Sequence, residues 1–362
     1  MFKLLLVVCV LLWKYYECEV AKTFIAYYFM LSNKIHVHMQ IDYYTLFEIN
    51  MQCNYTVISF SSVKNDYPHK SFHSIGKDNI KLYNDNKNAM FSCDIINNVV
   101  LHFPNEYNKP IRNLNLYFVS DHQFRNDSLG FGFNVINNSY SIVHSIYNEG
   151  YINSLSFGFI KDTETKGVLY FGDIPLSVNI NMDLSHQIKC KVLHSQWGCF
   201  LKKIIIDEYS QFYINEYVLF EVNTPFIYAP KRVMNEINDI MNNHEHVKLS
   251  HYKYPSLQFV FDGNKVVVMN KNITNIKKNS NNMEFILKCN ENGNYWIIGN
   301  VFITMFISSF NYTDNTITFY SQNEIPVLYT ETVLVQNIFF YNSVTLFIGI
   351  IIILLSLLFI KV

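Results

Sequence analysis

The sequence predicts an all-β protein of two lobes with a few short helices, held between two hydrophobic ends. Three observations carry that reading. Short runs rich in β-branched and aromatic residues recur along the chain, separated by Asn, Asp, Lys and Ser clusters. Half of the 362 residues are hydrophobic, with 30 Phe and 26 Tyr, enough for a large core and a length suited to two fused lobes. A weak internal repeat then pairs the halves. Met39-Gln40-Ile41-Asp42 and Val218-Leu219-Phe220-Glu221 are each an apolar strand ending in an acid, followed further on by Leu129-Gly130 and Ile298-Gly299.

Residues 1–21 read as a signal peptide, with Lys3 before the apolar run Leu4 to Trp13, which is too short to span a bilayer. The first lobe is expected over 22–180. Its strands are Phe24 to Met30, Ile35 to Ile41, Tyr55 to Phe60, Val99 to Phe103, Leu114 to Phe118, Leu155 to Ile160 and Val168 to Phe171. The second lobe is expected over 181–325, with strands at Ile204 to Ile206, Tyr217 to Phe220, Leu257 to Phe261, Lys265 to Met269, Tyr295 to Ile298 and Thr316 to Phe319. Pro230 to Asn242 is the one clear helix, with Pro at its start and Val233, Ile237 and Met241 at helical spacing. Residues 326–337 form a juxtamembrane linker, and 338–360, free of charge, is long enough for a transmembrane helix across about 30 Å of hydrocarbon. A single-pass, type I membrane protein of the secretory pathway follows, its ectodomain lumenal or extracellular.

Of seven cysteines, Cys9 falls in the signal segment. Cys18, Cys53, Cys93, Cys190, Cys199 and Cys289 suit disulfides in such a compartment, with the pairing left open. Asn54, Asn126, Asn137, Asn272 and Asn311 head glycosylation sequons. A net charge of −1 provides no field for nucleic acid. His36 with His38, and His244 with His246, have no further ligands spaced to join them, so neither a metal nor another cofactor is expected.

Six segments run in register with one family. Tyr295-Trp296-Ile297-Ile298-Gly299-Asn300-Val301-Phe302-Ile303 resembles the Trp-Ile-Leu-Gly-Asp-Val-Phe-Ile signature of pepsin-like aspartic proteases (peptidase family A1). Asn315 to Phe319 resembles the closing hairpin, and Tyr254 to Phe261 the Leu-Pro-x-Ile-x-Phe-x-Phe segment. Gly167 to Asp173, Trp197 before Ile204 to Asp207, and Ser128 to Gly132 are similar to further elements. The resemblance implies a bilobal, pepsin-like acid protease barrel fold over roughly residues 23 to 322 and an interlobe cleft suited to extended peptides.

Its catalytic loops depart from the family. The second Asp-Thr-Gly-Thr maps to Glu221-Val222-Asn223-Thr224, and the first to Asp42-Tyr43-Tyr44-Thr45. The resemblance thus makes Asp42 and Glu221 the catalytic candidates, and Tyr83, Thr45 and Thr224 candidates for substrate binding, Tyr83 in the substrate-covering hairpin. Two carboxylates held side by side would share one proton, a behaviour for which this family is the standard illustration. Glu221 adds a methylene, Val222 lacks the bracing hydroxyl, and Tyr44 and Asn223 replace glycines that let the backbone approach. No stretch between residue 21 and the first strand has the length of an inhibitory pro-segment. The expectation is a membrane-anchored homologue, catalytically impaired, whose cleft holds a peptide or protein ligand. The alternatives are an active divergent endopeptidase using Asp42 and Glu221, and a surface structural or adhesion protein.

Overall fold

A computed structural model of the chain describes residues 22–31, 34–40, 44–53, 56–59, 74–84, 87–104, 109–119, 127–133, 141–175, 187–193, 196–207, 210–243, 255–262, 265–270, 274–279, 282–291, 293–321 and 327–330. The N-terminal half begins with a meander of β1 (Thr23–Leu31), β2 (Lys34–Gln40) and β3 (Tyr44–Asn50). There follow β4 (Thr56–Ser59), a long hairpin of β5 (Ser74–Asn84) and β6 (Lys87–Leu101), β7 (Ile111–Val119) and β8 (Ser128–Gly130). A short helix, Ile142–Asn148, leads to β9 (Ser156–Lys161) and β10 (Lys166–Gly172). The C-terminal half contains β11 (Gln187–Lys191), β12 (Gly198–Ile206), β13 (Ser210–Glu221) and β14 (Ile227–Pro230), then the helix Lys231–Asn243. Next come β15 (Leu257–Phe261), β16 (Lys265–Met269), β17 (Asn275–Asn279), β18 (Asn282–Phe285), β19 (Leu287–Asn290) and β20 (Trp296–Gly299). A helical turn, Asn300–Ile303, precedes β21 (Ile307–Asn311), β22 (Thr316–Tyr320) and β23 (Val327–Thr330).

The mostly β reading holds, and the helix expected from Pro230 is present one residue later. Its Val233 and Ile237 are buried, as their spacing requires. The Ile142–Asn148 helix and the strand Tyr44–Asn50 were missing from the sequence series. The second omission matters for the site. β2, described to Gln40, pairs antiparallel with β3, with Met39 opposite Thr45 and His36 opposite Glu48. Asp42 itself, like the segments 1–21 and 338–360, lies outside the described residues. Among the described residues no helix is long and apolar enough to cross a membrane.

A 13-stranded sheet runs through both halves in the order β11-β22-β21-β9-β10-β1-β2-β3-β8-β4-β7-β6-β5. Its seam is β9 against β21, where Phe157 faces Phe310 and Phe159 faces Ser308. Side chains alternate along β1, so Phe24, Ala26 and Tyr28 enter the core while Tyr27 stays exposed. At the seam the core is aromatic. Phe157 stacks on Phe310 at 5.0 Å, and Trp197 meets Tyr312 edge-on at 4.8 Å. Trp197 Nε1 donates to the Phe131 carbonyl at 2.7 Å, and the Tyr312 hydroxyl donates to that same oxygen at 3.0 Å. Two donors from the C-terminal half thus satisfy one buried carbonyl of the N-terminal half.

An eight-stranded sheet belongs to the C-terminal half, in the order β19-β14-β20-β13-β12-β15-β16-β23. Within it β13 runs parallel to β20, placing Glu221 beside Gly299.

Candidate functional site

The two halves repeat one device. In the C-terminal half the last residues of β13 lie parallel to β20, with Phe220 beside Ile298 and Glu221 beside Gly299. In the N-terminal half the last residues of β3 lie parallel to β8, with Ile49 beside Leu129 and Asn50 beside Gly130. Each polar side chain then accepts a hydrogen bond from the backbone N–H two residues on. Asn223 donates to Glu221 Oε1 at 3.2 Å, and Gln52 donates to Asn50 Oδ1 at 3.0 Å. By register and by hydrogen bond, the residue that matches Glu221 is Asn50.

Gly299 is needed for the close approach on the C-terminal side. A Cβ there would fall 2.1 Å from the Thr224 carbonyl oxygen and 2.3 Å from that of Phe226. The loop is held from the other side as well. Asn300 N–H donates to the Thr224 carbonyl at 2.7 Å, and its buried side-chain amide donates to the Val222 carbonyl at 3.1 Å. Behind the strand, Glu216 accepts Trp296 Nε1 at 2.9 Å and pairs with Arg232 of the helix. These contacts fix the end of β13 and hence Glu221.

Glu221 is 3 % exposed. Burial, the largest cause, raises its pKa to about 7, because an ionised carboxylate loses its hydration there. The N–H groups of Asn223 and Met51 and the Gln52 side-chain amide oppose the rise by bonding to the carboxylate, while the nearby charge of Glu48 adds to it. Met51 and Gln52 follow Asn50, so Glu221 is bonded across to the N-terminal half's equivalent loop. Glu48 is held in turn. Lys34 Nζ lies 3.0 Å from its Oε1 and His36 Nε2 lies 3.6 Å from the same oxygen. Burial pushes Glu48 up, but hydrogen bonds and charge from His36 and Lys34 outweigh it and leave the carboxyl below its usual range.

The other sequence candidates sit as follows. Thr224 is part-buried in the loop after Glu221, where its N–H donates to the Glu221 carbonyl at 3.2 Å. Thr45 pairs with Met39 at the start of β3, remote in sequence from the Asn50 end. Tyr83 pairs with Asn88 close to the tip of the β5–β6 hairpin. Asp42, His244 and His246 lie outside the described residues, and His38 points outward on β2. Among the described residues no group of three or more His, Cys, Asp or Glu is placed to hold a metal ion.

Sequence reasoning missed Asn50, Gln52 and Glu48. An available signal was Phe47 to Asn50 itself, an apolar–polar alternation ending in a polar residue, which parallels Phe220-Glu221 as closely as Ile41-Asp42 does.

A mostly β chain in which paired strand–glycine units from two halves bring two polar loops together has a pepsin-like arrangement. The family model for eukaryotic aspartyl protease matches residues 119–322, more than half of the chain, and the chain belongs to that family. No curated protein matches it.

Proposed function

We propose that this chain is a membrane-anchored member of the aspartyl protease family that has lost efficient peptide hydrolysis and holds an extended peptide or protein segment between its lobes. The observation that carries the reading is Asn50. Hydrolysis in this family's manner needs two carboxylates sharing a proton, one to activate water and one to protonate the carbonyl oxygen. Asn50, which ends β3 beside Gly130 as Glu221 ends β13 beside Gly299, carries an amide, and an amide can do neither at accessible pH. Glu221, with a pKa raised to about 7, is a buried acid that changes its protonation near neutrality.

The scaffold around the site supports retained binding. The β5–β6 hairpin and the β strands on either side of the two loops are kept, and an extended segment binds such surfaces through its backbone while its side chains read alternate pockets. Anchoring rests on the apolar stretch 338–360 and routing on residues 1–21.

The test is cleavage of a diverse peptide library by the full-length chain in detergent, from about pH 3 to 7, beside Asp42→Asn and Asn50→Asp variants. The expected result is no cleavage by the unmodified chain, with library peptides retained. Appearance of acid cleavage in Asn50→Asp would support the assignment of the lost carboxylate. Cleavage by the unmodified chain that vanishes in Asp42→Asn would overturn it and establish an active dyad of Asp42 and Glu221.

A further inference from the structure

The first two strands of the C-terminal half carry two cysteines that the site does not use. Cys190 lies on β11, the edge strand of the 13-stranded sheet, opposite Ile317 of β22. Cys199 lies on β12 of the eight-stranded sheet, opposite Val218 of β13. They belong to different sheets, yet β11 packs against β12 and Cys190 is near enough to act on the Cys199 thiol. Both are buried, at 3 % and 1 % exposure, within the same apolar cluster.

The loop that joins them is pinned independently. The Tyr217 hydroxyl faces the Leu193 carbonyl and, at 2.9 Å, that of Gln196, either of which can take its single proton. Trp197, two residues before Cys199, is fixed by its bond to the Phe131 carbonyl at 2.7 Å. The backbone on both sides of the pair is thus held, which keeps the two cysteines within one packed cluster.

We propose that Cys190 and Cys199 form a disulfide that ties the edge strand β11 to β12, fastening the sheet shared by both halves to the sheet of the C-terminal half. Both thiols lose their protons and the sulfurs together give up two electrons, with one S–S bond formed. A disulfide donor such as glutathione disulfide takes up the electrons and protons, its own S–S bond breaking to give two thiols, through a mixed disulfide on one of the cysteines. Burial, with Cys190 beside it, raises the Cys199 thiol well above its ordinary range, so exchange is slow once the core has closed and the bond forms while the chain folds. A strand hydrogen-bonded on one side only gains from such a covalent tie.

The experiment maps the bond in the full chain expressed in eukaryotic cells with residues 1–21 in place. Cells are denatured in excess iodoacetamide without reductant, and the chain is digested with trypsin. Cleavage after Lys189, Lys191 and Lys202 releases Cys190–Lys191 and Val192–Lys202 as separate peptides. The expected product is the two joined, lighter by two hydrogens than their sum and separated by reduction. Alkylation of both cysteines without reduction, or a bond from either one to Cys18, Cys53, Cys93 or Cys289, overturns the proposal. A second measurement removes any dependence on peptide recovery. Cys190→Ser, Cys199→Ser and the double variant should lower the thermal midpoint by about the same several degrees, because each breaks the same bond. Effects of the two single changes that add in the double variant would instead mark two packed thiols.

Discussion

Asn50 and Glu221 occupy corresponding places in the two halves of the chain: each ends a strand beside a glycine, Gly130 or Gly299, and each accepts the N–H of the residue two further on. The correspondence makes the site asymmetric in charge. Glu221 can ionise and Asn50 cannot, and the Glu221 carboxyl is buried against the loop that follows Asn50.

Glu221 should make folding stability fall as pH rises through its titration. Its folded pKa is about 7 against an ordinary value of 4.5. Below about pH 4.5 both folded and unfolded chains hold the proton, so its full contribution is present. Between that pH and about 7 the unfolded chain releases the proton while the folded chain retains it, and on the order of 3 kcal/mol is lost across the window. Glu221→Gln should remove this slope. Denaturant unfolding at about pH 4.5, 6 and 7.5 measures it, and an unchanged slope in the variant would contradict the burial argument.

Glu48 is near enough to raise Glu221 by its charge. Glu48→Gln should therefore move the Glu221 midpoint down, while stranding Lys34 and His36 without their carboxylate. The same pH series on this variant reads the shift.

Gly299→Ala should disturb the site without touching a polar group. The added methyl would meet the backbone oxygens of Thr224 and Phe226 at 2.1 and 2.3 Å, and backbone cannot rotate away. A loss of about 2–3 kcal/mol or more is expected from such overpacking, together with a change in the Glu221 titration as its loop is pushed.

Trp197→Ala should be the most damaging change at the seam. It empties the space shared with Phe157, Phe310 and Tyr312 and removes one of the two donors to the Phe131 carbonyl. About 3–5 kcal/mol is expected from the lost packing. Thermal unfolding checks it. Trp197→Phe should recover part of the loss by refilling the volume without the donor.

Much of the frame is legible from local pattern. Strands such as Val168 to Phe171 and Leu257 to Phe261 stand out by apolar, β-branched and aromatic content, and the helix after Pro230 by spacing, since these signals arise within a few residues. The strand Tyr44–Asn50 was harder to see. Its Glu48 and Asn50 interrupt the apolar run, and their presence there depends on partners from elsewhere: Lys34 and His36 on β2, and Gln52 beyond the strand end. Asp42, which falls between β2 and β3, lies outside the described residues.

The sequence by itself determined the family resemblance and the mostly β composition, because each is written in contiguous residues. Only the tertiary structure decided which residue answers Glu221, since that depends on strand register between β3 and β8, and a register is fixed by backbone hydrogen bonds to a strand some eighty residues away. The raised Glu221 pKa and the meeting of Cys190 with Cys199 have the same origin. Both come from burial and proximity, which are properties of the packed chain and of no segment within it.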